Sequence, residues 1–131
     1  MENFCIPRTD RSPEIQFDYG RSVLTLRGES YPENVAAFYG PLFALLENFF
    51  NQNSPKFITV NIELFYFNSS SAKALMNLFL LLERATENGN SVVINWHVVE
   101  DDDTIREFGE EFAEDIEGIP FHIVTLPAPT Y

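Results

Sequence analysis

The sequence has little of what cross-linking or membrane insertion requires. Its single cysteine, Cys5, excludes an internal disulfide. The N-terminal residues show neither the basic start nor the apolar run of a signal peptide. The longest apolar stretch, residues 74–85, is shorter than a membrane span and is interrupted by Asn77. We therefore expect a protein of the reducing cytoplasm that does not contact membranes.

Basic residues are also scarce, at 8 against 20 acidic ones, so the net charge is -12. Such a surface repels the phosphates of nucleic acids and of anionic lipids, and we exclude both as partners. Half of the acidic residues lie between Glu100 and Glu117, where Arg106 is the only base. This segment is either a solvated loop and helix face or a docking surface for a basic partner.

No catalytic or metal-binding set is complete. The chain has no glycine-rich phosphate loop, so we do not expect it to bind ATP. His97 and His122 have no second ligand at metal spacing, and the acidic run 100–103 lacks the alternation and the glycine of a calcium loop. Ser70 and Lys73 form a Ser-x-x-Lys pair, but the companion motifs of serine acyl-transfer enzymes are missing. We predict a protein without catalytic residues, metal or cofactor; a small hydrolase using Ser70 and Lys73 is the rival.

Size and patterning predict one α/β domain over residues 1–131. A chain of 131 residues can bury a core without metal or disulfide support. Alternation of apolar and polar residues indicates strands at 14–19, 21–29, 56–67, 91–99 and 121–126. Because a sheet covered on one face produces such alternation, we expect the helices to pack mainly on one face.

Helical spacing of apolar residues fills the gaps between the strands. The predicted helices are 31–52, 70–90 and 103–118, and Asn88-Gly89-Asn90 is the stop at which the second one ends. Pro32 and Glu33 are expected in the first turn of the first helix, and Gly40-Pro41 predicts a kink or break inside it. The order ββαβαβαβ implies a mixed sheet that begins with a hairpin, with irregular tails at 1–12 and 127–131.

Asn68 and the serines 69–71 form a turn between a strand and a helix that has more hydroxyls than a cap needs. One capping side chain, from Asn68 or Ser69, contributes about 1 kcal/mol. The remaining hydroxyls lie where free backbone N–H groups and the helix dipole favour an anion. Lys73, one turn after Ser69, could approach a phosphate there. Local physics leaves an over-capped helix and a phosphorylation site both open.

Three separated segments carry a resemblance to a known family. They are GESYPEN at 28–34, YFNSSSAKALMNLF at 66–79, and VVINWHVVEDDD at 92–103 followed by FGEEFAED. In this order they resemble the SiaC-type regulatory phosphoproteins, from about Ile6 to Phe121. The family is similar to the STAS domains of anti-sigma-factor antagonists, which implies an α/β fold with a regulatory hydroxyl at a strand-to-helix turn.

The resemblance implies a partner switch. A serine/threonine kinase with a histidine-kinase-like ATP fold would phosphorylate the turn, and a PP2C-like phosphatase would remove the phosphate. The unmodified protein would bind and activate a diguanylate cyclase, in c-di-GMP signalling that controls biofilm formation or aggregation. The family's acceptor follows the asparagine, which places it at Ser69, where members often have threonine; Ser70 and Ser71 are the alternatives. The rival function is a STAS-like antagonist of an anti-sigma factor.

Aromatic residues beside the turn, together with the early residues of the second helix, form the candidate docking patch. Strict alternation places Phe65 and Phe67 together on the outer face of their strand, next to Ser69. Aromatic side chains anchor protein interfaces. A phosphate brings a charge of about -1.5 to -2 into such a surface, so we expect steric and electrostatic exclusion of the partner.

Overall fold

Six strands and three helices form the fold of residues 3–128, the part of the chain that the computed structural model describes. The strands are β1 (Phe4–Ile6), β2 (Glu14–Asp18), β3 (Val23–Ser30), β4 (Phe57–Phe67), β5 (Ser91–Val99) and β6 (Phe121–Leu126), and the helices are α1 (Val35–Phe50), α2 (Ser69–Glu87) and α3 (Asp103–Asp115). The predicted α/β class is confirmed. The irregular tail predicted for 1–12 is wrong at β1, which pairs with β2. Of the predicted tail 127–131, residues 129–131 lie outside the described residues.

The sheet is mixed, and its strands follow one another in chain order from β1 to β6. Strands β1, β2 and β3 pair antiparallel, and β3 to β6 pair parallel. Each of the three helical crossovers therefore leads to the next strand in the same direction. Because such crossovers are almost always right-handed, all three helices lie on one face of the sheet.

The two faces of the sheet differ as the sequence predicts. The inward residues of the strands are buried beneath the helices, among them Leu24 and Ile94. The other face is partly open and polar, with a hydrogen bond of 3.0 Å from Asn95 to Asn61. Helices on one face are thus confirmed. Within residues 3–128, no helix has both the length and the apolar character needed to cross a membrane.

Helix α3 approaches the sheet closely over Trp96. The indole Nε1 of Trp96 donates to the carbonyl oxygen of Ile105 at 3.0 Å, inside the core. A Cβ at Gly109 would lie only 2.5 Å from Cδ1 of Trp96, so no larger residue fits there without movement. This approach brings Phe108, the residue before Gly109, to the end of β4, where its ring lies 4.8 Å from that of Phe67.

The helix boundaries follow the caps. Asn34 caps α1 and accepts from a backbone N–H at 3.0 Å, so Pro32 and Glu33 precede the helix and do not form its first turn. The predicted break is absent, since α1 continues through Pro41. A proline removes one backbone donor, and the buried residues on both sides of it offset that loss. The predicted stop of α2 is confirmed at Asn88.

Candidate functional site

A β-bulge shapes the end of β4. Gly28 pairs with Leu64 but the next residue of β3 pairs with Tyr66, so Phe65 is the extra residue in β4. Gly28 has φ 127°, a conformation that residues with a Cβ rarely adopt. Two consecutive aromatic side chains are therefore exposed, Phe65 at 43% and Tyr66 at 51%.

The bulge corrects the predicted docking patch. Phe67 was expected on the outer face with Phe65, but it is 6% exposed and packs 6.0 Å from Trp96. One extra residue reverses the alternation, which places Tyr66 outside in its stead. The ring of Tyr66 meets that of Tyr31 edge to face at 5.7 Å. We name Phe65, Tyr66 and Tyr31 the aromatic patch.

Asn68 holds the N-cap position of α2 that the sequence assigns to it. Its backbone is extended, and its side-chain oxygen accepts from the backbone N–H of Ser71 at 2.9 Å. Its own N–H donates to the carbonyl oxygen of Ser30 at 3.2 Å. The turn is thus tied both to its helix and to the end of β3.

The three serines of the turn occupy different environments. Ser69 and Ser70 are exposed, whereas Ser71 is 0% exposed. The hydroxyl of Ser30 donates to that of Ser71 at 2.8 Å and lies 2.6 Å from the hydroxyl of Tyr39. Because Ser30 has one hydroxyl hydrogen, Tyr39 donates to Ser30. These hydroxyls form a buried chain from α1 through β3 to α2.

Tyr39 is the ionisable residue among these three hydrogen-bonded hydroxyls, and its phenol stays neutral. Burial raises the pKa of its phenol to about 12. The sequence did not single out Ser30 or Tyr39. The signal that was available is Ser30 itself, a polar residue at an inward position of β3.

The two exposed serines, Ser69 and Ser70, line different pockets. Ser69 lines an open pocket of about 350 Å³ on the α3 side of the turn, together with Tyr66, Phe67, Asn68, Ala72 and Phe108. Ser70 and Lys73 line a groove of about 340 Å³ between α1 and α2. Lys73 is exposed and forms no ion pair with any described residue. Lys73 therefore shares a groove with Ser70, whereas Ser69 lines the pocket on the other side of the turn.

A third pocket lies next to Phe65 and is acidic. Its volume is about 620 Å³, and its lining is Phe65, Val99, Asp101, Asp102, Asp103 and Thr104. Asp102 caps α3 and accepts from the backbone N–H of Ile105 at 3.0 Å. The start of the acidic segment thus adjoins the aromatic patch.

The histidines lie away from the turn. His122 is exposed on β6, and His97 is half-buried on the open face of the sheet, with its Nδ1 buried and without a partner. No three His, Cys, Asp or Glu side chains among residues 3–128 are grouped to hold a metal ion.

Comparisons with known proteins agree over almost the whole chain. The family model for SiaC family regulatory phosphoproteins matches residues 6–126. An uncharacterized protein of Pseudomonas aeruginosa strain UCBPP-PA14 is 35% identical over 123 residues, which cover 94% of this chain and 96% of that protein.

Solved structures show the same similarity. Apo-SiaC from Pseudomonas aeruginosa superposes with a TM-score of 0.87 at 35% identity, covering 95% of this chain and 99% of the other. SiaC from the crystal structure of the diguanylate cyclase SiaD in complex with its activator SiaC gives 0.88 at 34% identity, covering 94% and 99%. The resemblance found in the sequence is confirmed. The chain belongs to the SiaC family, which consists of regulatory phosphoproteins and not of enzymes.

Proposed function

We propose that the protein is a partner switch: its unphosphorylated form binds and activates a diguanylate cyclase, and phosphorylation of Ser69 releases that partner. The observation that carries the proposal is the position of Ser69, an exposed hydroxyl directly after the cap Asn68 and in one pocket with Tyr66. The similarity to an activator solved together with its cyclase supports the choice of partner.

Accessibility supports Ser69 as the acceptor over Ser71. A kinase must bring the hydroxyl to the γ-phosphate of ATP, and the hydroxyl of Ser71 is enclosed in the chain with Ser30 and Tyr39. Ser70 is accessible, but it opens onto the groove between α1 and α2, away from the aromatic side chain of Tyr66. A phosphate on Ser70 would leave the pocket beside Ser69 free.

The phosphate acts through desolvation and steric exclusion. The pocket beside Ser69 is lined by the rings of Tyr66, Phe67 and Phe108, so a partner side chain that fills it expels water. A group with a charge of about -1.5 to -2 at its rim would have to lose its hydration when the partner docks. A cost of about 3 kcal/mol lowers the affinity more than 100-fold.

The phosphorylated state is itself well accommodated. First-turn N–H groups and the dipole of α2 favour an anion on Ser69, which is the first residue of the helix. We assign the stabilisation of that phosphate to these groups. Lys73 shares a groove with Ser70 and lies one helical turn after Ser69, so its ammonium can approach a phosphate on either residue.

The proposal includes two enzymes that set the state of Ser69. A serine/threonine kinase with a histidine-kinase-like ATP fold adds the phosphate, and a PP2C-like phosphatase removes it. Both act in the cytoplasm, where ATP and the cyclase substrate GTP are available, so we place the protein there as one functional unit over residues 1–131.

Phosphopeptide mapping tests the acceptor. After incubation with the kinase and ATP, we expect the phosphate on Ser69 in the parent protein and in the Ser70→Ala variant, and none in Ser69→Ala. Equal phosphorylation of Ser69→Ala would refute the assignment.

Titration calorimetry against a purified diguanylate cyclase tests the switch. We expect Ser69→Glu to bind at least tenfold more weakly than the parent. Phosphorylation of Ser69 in the parent is expected to weaken binding further, because one carboxylate has less charge than a phosphate. Ser70→Glu adds the same charge one residue away and is expected to bind within about threefold of the parent. Equal affinities of the parent and Ser69→Glu would count against the switch, and binding of an anti-sigma factor in place of the cyclase would favour the rival function.

A further inference from the structure

The aromatic patch has one side that the Ser69 switch does not explain. Phe65 faces a shallow pocket whose other lining residues are Val99, three successive aspartates and Thr104. Phe65 is 43% exposed and lines this pocket together with Asp101 and Asp103. An apolar floor with a rim of carboxylates suits a cation that also has a flat apolar surface.

The arrangement of the carboxylates argues against a metal ion as the occupant. A calcium ion takes 6–8 oxygen ligands at close range. In the part of the chain that the structure describes, no three acidic side chains converge in that way. One oxygen of Asp102 is already engaged by the backbone N–H of Ile105. The remaining carboxylate oxygens are spread around a pocket of about 620 Å³ and not around a point.

The charge at this place stays strongly negative despite the helix that begins there. The N-terminus of α3 contributes about half a positive charge. Three carboxylates outweigh it, and the nearest base in sequence, Arg106, donates to the hydroxyl of Thr125 at 3.1 Å. This charge favours a cationic group of a partner.

We propose that this pocket receives an arginine side chain of the protein partner. A guanidinium is planar, stacks on an aromatic ring and donates several hydrogen bonds in its plane, so Phe65 provides the ring and Asp101 and Asp103 the acceptors. Lysine offers the charge without the stacking surface. The inference deepens the proposed function, because Phe65 and Ser69 lie four residues apart at the end of one strand and the start of its helix.

The pocket and the switch would then have separate tasks. The acidic pocket attracts and orients a basic residue of the partner, whereas the state of Ser69 decides whether the neighbouring apolar pocket can be filled. A phosphate on Ser69 is negatively charged and does not repel a basic residue of the partner. The partner is therefore released by the cost of removing water from the phosphate and not by charge repulsion.

Nuclear magnetic resonance titration of the full ¹⁵N-labelled chain tests the pocket without needing the cyclase. The probe is N-acetyl-arginine methylamide, and the uncharged comparison compound is the citrulline analogue, which has nearly the same shape. We expect saturable shifts of the backbone amides of 65–66 and 99–104 with the arginine compound, at least threefold larger at equal concentration than with the citrulline compound.

A charge-matched pair of variants makes the test specific. Asp101→Asn combined with Asp103→Asn is expected to weaken arginine binding about three- to tenfold, since each exposed ion pair contributes modestly. Glu110→Gln combined with Glu114→Gln removes the same charge from α3 outside the pocket and is expected to change binding less than twofold. Asp102 is left intact because it caps the helix.

Several results would overturn the inference. They are equal shifts with the citrulline compound, equal weakening by both pairs of variants, or shifts spread evenly over α3. Shifts at the pocket that grow with protein concentration alone would show a second copy of the chain in place of the partner. Failure here leaves the Ser69 switch standing, whereas a parent protein that shows the arginine shifts but does not bind the cyclase would remove the switch and keep the pocket.

Discussion

Replacing the serines of the turn one at a time separates the modified hydroxyl from the structural one. Ser71→Ala removes the acceptor for the hydroxyl hydrogen of Ser30 inside a region that is 0% exposed. Leaving a buried donor without a partner costs about 1–3 kcal/mol. The better helix propensity of alanine returns about 0.5 kcal/mol. We therefore expect Ser71→Ala to lower the free energy of unfolding by about 0.5–2.5 kcal/mol, whereas Ser69→Ala, at an exposed position, changes it little.

Urea unfolding provides the measurement. Trp96 is the only tryptophan, is 1% exposed and lies in the core, so its fluorescence reports the transition. Linear extrapolation then compares the parent with Ser69→Ala and Ser71→Ala. Tyr39→Phe interrupts the same chain of hydroxyls, and its effect combined with Ser71→Ala is expected to be non-additive. Parent-like stability of Ser71→Ala, or an equal loss in Ser69→Ala, would refute the buried chain.

Two further predictions concern the core beneath the turn. Gly109→Ala is expected to lower the free energy of unfolding by about 1–3 kcal/mol, because the new Cβ would lie 2.5 Å from the rigid ring of Trp96. A thermal melt measures this change, and an unchanged melting temperature would contradict the close approach. The pKa of Tyr39 is raised from 10.0 to about 12 by burial, so above pH 10 the unfolded chain loses the phenolic proton while the folded one keeps it. The contribution of the Tyr39 phenol to the free energy of unfolding is complete below pH 10 and falls by up to about 3 kcal/mol by pH 12. We expect urea unfolding of Tyr39→Phe to show no such decrease over this pH range.

Most strands and helices of the fold can be predicted from the local pattern of apolar and polar residues. Strands β5 and β6 have the predicted bounds, and α2 begins one residue before its prediction and ends at the predicted stop. These segments have clear alternation or clear helical spacing, and caps mark the ends of the helices. Strand β1 was missed because three residues give too little alternation to recognise, and its pairing with β2 supplies what its own sequence does not.

The docking patch shows where local pattern fails. Alternation was continued through β4 to its end, which placed Phe67 outside and Tyr66 inside. The bulge at Phe65 reverses both, and its cause lies partly in the neighbouring strand, where Gly28 adopts φ 127°. The burial of Phe67 against Trp96 and α3 stabilises that choice, and these contacts join residues far apart in the chain.

By itself, the sequence determined the α/β class, the family, the cap at Asn68 and the expectation that a hydroxyl after it is modified, because these depend on neighbouring residues or on motifs in order. Only the tertiary structure decided which serine is enclosed, which aromatic side chains are exposed and which pocket each hydroxyl faces. Those properties depend on the contacts that α1, α3 and β3 make with the turn. Ser69, Ser70 and Ser71 are chemically identical in the sequence, and packing alone gives them different surroundings.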